Sequence, residues 1–581
     1  MKTAETLSKD DFFKQSLGET PSPAPQHTFE LGLVIAGGVS GGAYQAGVLD
    51  YLVEALDRWY AAKANGDADV PRHDVRIKVI AGTSAGGINS ALLGLAANWG
   101  FQPHRSDQAK SVWGDSPCGK SNIFYQTWVE GADIRYLLTT EDIGHHQLPS
   151  LLNADFFTRH WVPQALKFEG VPITDRTRAY RNWLTSPLPI LLTMTNLKGV
   201  PYKVIFNTGL GDRHQANYYM TLHKDYLSFK LTGAPGVAGD AVYPGYLAVN
   251  AQQRNKAGDP DWRRFGDAAR ATSAFPFGLA PVVLNRSYSD YRYRVFYRDT
   301  INNQVEYIPP ERLTGAKHGL YECVNVDGGV MNNEPFDLAL AVLFGPQMDD
   351  AAEQALGDKA TQGLLVLQAF PTNNHLNDDL KPNIVQLAGR IAGAQIKQAR
   401  FKLQELIFSR RDNLYTRFLL QPVRPGADPD AIALAGEPLE AFLGFFCREY
   451  REHDFQLGRQ NCQDFLRYRL KLPKTNPVFK DAIKPGPDGL VPLIPLLGVC
   501  RQDEPVPQWP KNALKWAECD DLHQAMAHRL NVIARLLINQ ATDSRLTRWL
   551  ARWAWAWCGR GFVLDKLHDA IRRAENQVNK A

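Results

Sequence analysis

Two short apolar runs near the start of the chain each end in a glycine-rich turn that leads into a helical pattern. Leu31–Ile35 has the continuous apolar character of a buried parallel strand, and Ala43–Leu56 follows it with helical periodicity. Ile77–Ile80 repeats the strand pattern, and Gly87–Leu92 supplies small and apolar residues suited to a packed helix. Two strand–turn–helix units predict an α/β domain.

Further extended runs follow a long aromatic stretch. Ile190–Thr195 and Tyr202–Phe206 are predicted as two strands joined by a turn at Lys198-Gly199. Cys323–Val326 and Gly363–Phe370 have the apolar character of buried strands. The helical periodicity becomes dominant beyond about residue 376, where aromatic residues and arginines recur at helical spacing.

These changes in character divide the chain into three predicted parts. Residues 1–28 are polar and rich in Ser, Thr and Pro, so we expect a loose N-terminal leader. Residues 29–375 form the α/β domain, and residues 101–185 interrupt its alternation as a cap-like insertion. Residues 376–581 form a mainly helical C-terminal region.

Composition narrows the functional classes and the compartment. The net charge of +4 over 581 residues is too small to favour a nucleic-acid binder. The seven cysteines include no CxxC pair, which favours free thiols in a reducing compartment. The N-terminus has no signal-peptide pattern and no apolar run is long enough to span a bilayer. We expect a cytoplasmic protein that also contacts membrane surfaces.

The second turn carries the strongest chemical signal. Gly82-Thr83-Ser84-Ala85-Gly86 is a G-x-S-x-G sequence between a strand and a helix, the context that a nucleophile elbow requires. Glycine at positions 82 and 86 removes the side chains that would clash in so sharp a turn. Ser84 is therefore the candidate nucleophile, and a glycine-rich turn containing a chance serine is the alternative.

The first turn is a candidate anion site. Its backbone amides can approach a ligand closely because the turn is rich in glycine. A dinucleotide site is disfavoured because the spacing is not G-x-G-x-x-G. An oxyanion hole fits better, although a plain tight turn stays open. The candidate residues are Gly37, Gly38, Val39, Gly41 and Gly42.

Asp327 follows a predicted strand and precedes Gly328-Gly329. Chemistry in open α/β sheets concentrates at the carboxyl ends of strands, so Asp327 is a candidate base for Ser84. An ordinary Asp-Gly turn is the alternative.

Taken together, the glycine loop, the serine elbow and the Asp-Gly-Gly segment resemble the patatin-like phospholipases over roughly residues 30–375. The segments AYQAGVL, ATSAFPF and NNEP are also similar to that family. The resemblance implies a three-layer α/β fold with helices on both faces of the sheet. It also implies a Ser84–Asp327 dyad, an oxyanion hole in the loop, and no metal or cofactor.

The loop departs from the family pattern G-G-G-x-Arg/Lys-G at two positions. Val39 occupies the place of the third glycine, and Gly41 occupies the place of the basic residue. An amide donor survives at Val39, so we expect the oxyanion hole to persist. We also expect Gly41→Arg to leave the rate unchanged or to raise it, because it would restore the family's cation.

A Ser-His-Asp triad is the direct competitor, since G-x-S-x-G also occurs in α/β-hydrolases whose histidine comes late in the chain. His453 lies beside Asp454, but we expect it to be structural, and we expect the His145-His146 pair to be solvated. The sequence around His453 has no zinc-ligand spacing. The late histidines are His375, His453, His523, His528 and His568.

The C-terminal sequence RLTRWLARWAWAWCGRGF places Trp549, Trp553 and Trp557 on one helix face beside arginines. Tryptophan and arginine favour lipid headgroups, so this face is a candidate membrane contact. Packing against the α/β domain is the alternative.

The function predicted from the sequence is a serine acyl hydrolase of the phospholipase A or lysophospholipase type. It would act on acyl esters of glycerolipids. Two alternatives stay open: a non-catalytic lipid-binding or scaffold protein with a degenerate oxyanion loop, and an esterase or thioesterase on soluble acyl substrates.

Overall fold

A computed structural model gives the architecture of the chain. The residues described are 4–16, 24–105, 122–144, 148–155, 179–207, 215–233, 246–250, 260–299, 302, 304–311, 320–345, 356–370, 414–428, 431–479, 485–541 and 544–581.

Most of the strands join one mixed sheet of nine strands in the order β12-β11-β2-β3-β4-β10-β7, with β5 pairing β4 and β6. A three-stranded sheet, β1-β9-β8, and a hairpin, β13-β14, lie outside it. The strands are β1 Glu5–Ser8, β2 Thr28–Ile35, β3 Asp74–Gly82, β4 Leu188–Asn207, β5 Gln215–Thr232, β6 Tyr246–Asn250, β7 Val282–Ser287, β8 Phe296–Asp299, β9 Gln304–Tyr307, β10 Leu320–Asp327, β11 Gln362–Leu367, β12 Arg417–Leu420, β13 Lys471–Pro473 and β14 Leu490–Pro492.

The helices surround this sheet and extend beyond it in the second half of the chain. The α-helices are α1 Lys9–Ser16, α2 Gly42–Ala64, α3 Ala85–Ala96, α4 Ile123–Tyr125, α5 Ile134–Leu137, α6 Pro260–Thr272, α7 Phe336–Phe344, α8 Arg448–Tyr468, α9 Asp520–Ala541, α10 Arg545–Ala554 and α11 Arg560–Lys580. Two π-helical turns follow α4 and α10, at Gln126–Glu130 and Trp555–Gly559.

The alternation of side chains along β2 explains why helices cover both faces of the sheet. Leu33 and Ile35 point into a core shared with α2 and α3, whereas Val34 lies in a second core with Phe336 and Val342 of α7. All three β2 residues are fully buried. A strand that is buried on both faces has a continuous apolar sequence, as β2 does. Because helices cover both faces of the sheet, the predicted three-layer α/β fold is confirmed.

The pairing of β4 brings the ends of two strands together. Strand β3 runs parallel to β4 and its last residue, Gly82, pairs with Leu192. Strand β10 runs antiparallel to β4 and its last residue, Asp327, pairs with Met194. Since β5 occupies the other edge of β4 at these residues, β3 and β10 approach each other end to end along one edge. The residues that follow β3 therefore meet the last residue of β10.

Two predictions about local structure are wrong. The leader is not loose over residues 5–16: β1 pairs with β9, and Phe12 and Phe13 of α1 are buried. The segment is held in place because its two phenylalanines bury apolar surface, which its polar residues do not. The turn expected at Lys198-Gly199 is instead an irregularity within the single long strand β4, whose register with β5 shifts between Thr195 and Val200.

The C-terminal region packs directly onto the α/β domain. Strand β12 pairs in parallel with β11 and extends the central sheet beyond the predicted boundary at residue 375, although the boundary itself stays a prediction. Helix α8 crosses α2 so closely that a Cβ on Gly47 would lie 1.9 Å from the carbonyl oxygen of Phe455. A Cβ on Gly458 would lie 2.1 Å from the carbonyl oxygen of Tyr44, so both glycines are required by backbone contact.

Within the described residues, no helix combines the length and apolarity that crossing a membrane demands.

Candidate active site

Ser84 occupies a sharp turn between β3 and α3. Its backbone has φ 55° and ψ −127°, a conformation that non-glycine residues rarely adopt. A Cβ on Gly82 would lie 2.1 Å from Ser90 Oγ, and one on Gly86 would lie 2.1 Å from the carbonyl oxygen of Ile35. The two glycines therefore let the chain turn against β2 and place Ser84 at the N-terminus of α3.

The Ser84 hydroxyl lies against the carboxylate of Asp327. Ser84 Oγ donates to Asp327 Oδ2 at 2.6 Å, and the other carboxylate oxygen, Oδ1, accepts from the Gly329 amide at 2.7 Å. Asp327 is only 4% exposed. The backbone of Asp327 is fixed as well, because its amide donates to the Ala274 carbonyl and its carbonyl accepts from Thr195 Oγ1. The two strand ends thus place a hydroxyl and a fixed carboxylate in direct hydrogen-bond contact.

The glycine loop lies next to this pair, since a Cβ on Gly37 would lie 3.2 Å from Ser84 Cβ. Three of its candidate amides are already engaged within the loop and its supports. Gly37 N donates to the Asn333 carbonyl, and Gly41 N donates to the Gly38 carbonyl. Gly42 N donates to backbone carbonyls of the turn that precedes it. Within the described residues, the amides of Gly38 and Val39 donate no hydrogen bond. The predicted oxyanion hole is therefore narrowed to these two amides, and its role stays a prediction.

The two departures from the family loop have different structural consequences. Val39 has φ 45°, so a β-branched residue holds a left-handed conformation that glycine adopts without strain. At Gly41 a Cβ would lie 2.6 Å from the Phe370 ring and 2.8 Å from Ala369 Cβ. No side chain fits at Gly41 without displacing these two neighbours, which opposes the expectation that Gly41→Arg leaves the rate unchanged or raises it.

Several residues that position the site were not singled out from the sequence. Thr272 Oγ1 accepts from the Ser84 amide at 3.0 Å, and Thr83 Oγ1 donates to the Asn332 carbonyl at 2.9 Å. The carbonyl of Asn333 holds the glycine loop, as described above. These residues belong to the ATSAFPF and NNEP segments or to the elbow itself, so the resemblance was the signal that could have identified them.

A mostly apolar cavity of ≈ 710 Å³, including its open mouth, lies over the Ser84–Asp327 pair. Its walls come from the glycine loop, the predicted insertion, the segment after α6, and the C-terminal region. The apolar lining residues are Val39, Ala85, Ile88, Trp128, Ala132, Leu137, Leu152, Phe275, Leu279, Phe442 and Phe445. Such a cavity suits an apolar chain whose polar end lies at Ser84.

The histidines of the triad alternative lie elsewhere, as far as the described residues extend. His453 Nδ1 is 2.9 Å from Asp454 Oδ1, and the imidazole packs edge-on against Trp509. No described residue lining the cavity is a histidine. His375 and the pair His145-His146 lie outside the described residues. The same described ranges contain no group of three His, Cys, Asp or Glu side chains placed to hold a metal ion.

A segment of the C-terminal region braces the glycine loop from behind. The Ala441 carbonyl accepts from Ser40 N at 3.2 Å, and the Gly436 carbonyl accepts from Ser40 Oγ at 3.4 Å. Asp454 on α8 fixes this segment, because its two carboxylate oxygens accept from the amides of Ala435 and Gly436 at 2.8 and 2.9 Å. Leu439, Glu440 and Ala441 all have positive φ, which makes this brace a tight left-handed turn.

A strained serine elbow, a bonded aspartate and a glycine-rich loop, joined at the ends of strands in a three-layer α/β fold, define the class of patatin-like proteins. The family model for the patatin-like phospholipase matches residues 33–184. The chain is also 30% identical over 586 residues to an uncharacterized protein of Sinorhizobium fredii, y4iI, covering 91% of this chain and 78% of that protein. The chain belongs to the patatin-like phospholipase family.

Among solved structures, the chain is similar to VipD from Legionella pneumophila. The sequence identity is 11%, and the match covers 96% of this chain and 88% of that one with a TM-score of 0.21. At this TM-score the likeness carries no argument about fold or function.

Proposed function

We propose that the protein is a serine acyl hydrolase that cleaves acyl esters of glycerolipids, with Ser84 as nucleophile and Asp327 as general base. The observation that carries the proposal is the 2.6 Å hydrogen bond from Ser84 Oγ to Asp327 Oδ2, made by a serine in a strained elbow. A serine hydroxyl is a weak nucleophile until a neighbouring base accepts its proton.

The proposed reaction has two halves. Ser84 Oγ attacks the ester carbonyl while its proton passes to Asp327 Oδ2, and collapse of the tetrahedral intermediate releases the alcohol with that proton. Water then attacks the acyl-serine, gives a proton to Asp327, and releases the fatty acid as Ser84 Oγ takes the proton back. The amides of Gly38 and Val39 would stabilise the oxyanion in both halves, each contributing about 3–4 kcal/mol.

The cavity favours a long acyl chain over a small polar acyl group. Aromatic and aliphatic side chains line the cavity together with Ser84, so an acyl chain whose ester lies at Ser84 would be buried among them. Burial of each methylene contributes about 0.8 kcal/mol, which gives an acyl chain ample binding energy.

The test is hydrolysis of phosphatidylcholine, lysophosphatidylcholine and a water-soluble p-nitrophenyl ester by the wild type and Ser84→Ala. We expect turnover on the lipids and a loss of at least about 1,000-fold in Ser84→Ala. A fluorophosphonate probe should label the wild type and Ser273→Ala, which removes another hydroxyl lining the cavity, but not Ser84→Ala.

Each alternative has its own outcome. Turnover confined to the soluble ester would replace the proposal with the esterase or thioesterase alternative. A folded wild type without labelling or turnover on any ester would favour the non-catalytic lipid-binding alternative.

A further inference from the structure

An apolar ridge lies exposed along α10 and the π-helical turn after it. The exposed fractions of Trp549, Trp553 and Trp557 are 62%, 51% and 73%. Leu546 and Leu550 lie on the same side and are 67% and 47% exposed. No residue of α10 is buried, so this helix contributes little to the core. We call these five residues the tryptophan ridge.

The opposite side of the same segment holds it to the protein. Trp555 Nε1 donates to Asn531 Oδ1 on α9 at 3.1 Å, and Arg552 Nη2 donates to Asn539 Oδ1 on the same helix at 2.7 Å. Trp553 and Trp557 stack with their ring centroids 5.2 Å apart. The ridge is therefore fixed with its apolar side facing away from the rest of the described chain.

The charged residues within the segment that carries the ridge have a single sign, and Asp543 and Asp565 lie just outside that segment. Residues 545–564 contain four arginines and no lysine, aspartate or glutamate. These arginines are Arg545, Arg548, Arg552 and Arg560. A partner that is apolar beneath an anionic surface would match both the ridge and this charge.

We propose that the tryptophan ridge docks on an anionic lipid surface, lying in the plane of the headgroups. Indole rings favour the boundary between headgroups and acyl chains, and guanidinium groups pair with lipid phosphates. The 15 residues from Arg545 to Gly559 extend about 22 Å as a helix, which is long enough to lie along a membrane. This docking is a separate function from the chemistry at Ser84.

A second copy of the chain fits the ridge less well. A symmetric pairing through this face would bring the basic segment 545–564 of one copy against the same basic segment of the other. Like charges brought close in a poorly solvated interface are destabilising, whereas an anionic lipid surface neutralises them.

Vesicle flotation tests the proposal with the full chain. The vesicles consist of phosphatidylcholine alone or phosphatidylcholine with 30% phosphatidylglycerol. We expect the wild type to bind the anionic vesicles at least tenfold more strongly than the neutral ones. The triple variant Trp549→Ala, Trp553→Ala and Trp557→Ala should bind the anionic vesicles at least tenfold more weakly. A matched control is Tyr218→Ala with Tyr219→Ala, since both side chains are about 60% exposed on β5, and it should bind like the wild type.

Two further sets of variants separate the contribution of charge to vesicle binding from the hydrolysis at Ser84. Arg545→Gln with Arg560→Gln should weaken binding severalfold and flatten its dependence on salt. Ser84→Ala should bind vesicles like the wild type even where it abolishes hydrolysis. Vesicle binding can therefore be interpreted whether or not the proposed hydrolysis occurs.

Equal flotation of the triple variant and the wild type would overturn the proposal. Tryptophan-dependent self-association in sedimentation, without vesicle binding, would assign the ridge to a second copy instead.

Discussion

Two parts of the C-terminal region relate to the α/β domain in opposite ways. Residues 434–504 include α8, whose glycine crosses α2 at backbone contact, and its Asp454 fixes the segment that braces the glycine loop. Residues 545–562 carry the tryptophan ridge and leave its largest side chains exposed. The first part therefore belongs to the structure of the site, whereas the second is available to an external partner.

The arginines of these two parts differ in the same way. Arg459 on α8 is fully buried and pairs with Glu54 on α2 at 2.8 Å and with Glu504 at 2.9 Å, and it also pairs with Asp50. Burial raises the pKa of Asp50, and Arg459 opposes that rise. Near the ridge, Arg552 is exposed and makes one neutral hydrogen bond. The same residue type thus has a structural role in one part and a solvated one in the other.

The largest effect is expected at the crossing of α2 and α8. Gly458→Val would push a side chain into the carbonyl of Tyr44 and should destabilise the fold by at least about 4 kcal/mol, or prevent soluble expression. Gly561→Val is the matched control, because this helical glycine has open space around it. Thermal unfolding of the two variants measures the contrast, and equal melting temperatures would contradict the close crossing.

Removal of the buried arginine should have the next largest effect. Arg459→Met leaves three carboxylates buried with less compensation, so we expect a loss of about 3–5 kcal/mol in the free energy of unfolding. Arg552→Met in the exposed part should change it by less than about 0.5 kcal/mol. Urea denaturation of both variants gives the values. A small loss for Arg459→Met would mean that Arg105, which also pairs with Glu54, suffices.

A pH-dependent effect should arise where the first half of the chain meets residues 470–494. His73 Nε2 bonds the Leu493 carbonyl at 2.8 Å, and burial lowers the pKa of His73 to about 4. The unfolded state then binds the proton more readily, so stability present above about pH 6.5 is lost as the pH falls toward 4. We expect a loss of about 2 kcal/mol between pH 7 and pH 5 from this group.

The control for this pH dependence is His73→Phe, which has no group to titrate at that position. Its free energy of unfolding should be lower at pH 7, because the hydrogen bond to Leu493 is lost, but should fall less between pH 7 and pH 5. An unchanged pH dependence in His73→Phe would assign the effect to other groups, among them His104, whose pKa burial also lowers to about 4.

The smallest expected effect concerns the brace behind the glycine loop. Asp454→Asn replaces an acceptor of two backbone amides with a group that can accept with one atom only. We expect kcat on a soluble ester to fall about tenfold with little change in KM, because the cavity walls stay in place. Asp565→Asn, at an exposed position on helix α11, is the control and should leave kcat unchanged. Loss of thermal stability without a change in kcat would restrict Asp454 to a structural role.

The sequence predicted those features that local chemistry determines. The strands before Gly37 and Gly82 and the helices after them follow from short patterns with known backbone demands. The pairing of Ser84 with Asp327 was implied by the family resemblance, not by a local pattern. The close approach of β10 to β3 depends on the antiparallel pairing of β10 with β4 at Met194, which no local pattern specifies. The crowding around Gly41 arises from Ala369 and Phe370, more than 300 residues away, and could not be read from the loop itself.

Long-range packing likewise explains the error about the N-terminal leader and the structural part of the C-terminal region. Phe12 and Phe13 form a core only with residues of β9 and its neighbours, so the leader read as polar in isolation. The glycines at positions 47 and 458 are ordinary helix residues in the sequence, and their need for close backbone contact emerges only when α2 meets α8. By contrast, the shared helix face of the tryptophans was predictable, because the spacing of residues along a helix fixes which side chains lie together. The sequence left open whether that face packs against the α/β domain, and the structure shows that it is exposed.

The central claim, that Ser84 forms an acyl-enzyme with the help of Asp327, is tested most directly by trapping that intermediate. The protein is mixed with a slowly deacylated long-chain p-nitrophenyl ester, quenched in acid, and analysed by peptide mass spectrometry over time. We expect the acyl mass on the peptide containing Ser84 in the wild type, and acylation at least about 100-fold slower in Asp327→Asn. Acylation of Asp327→Asn at the wild-type rate, or an acyl group on another residue, would contradict the account.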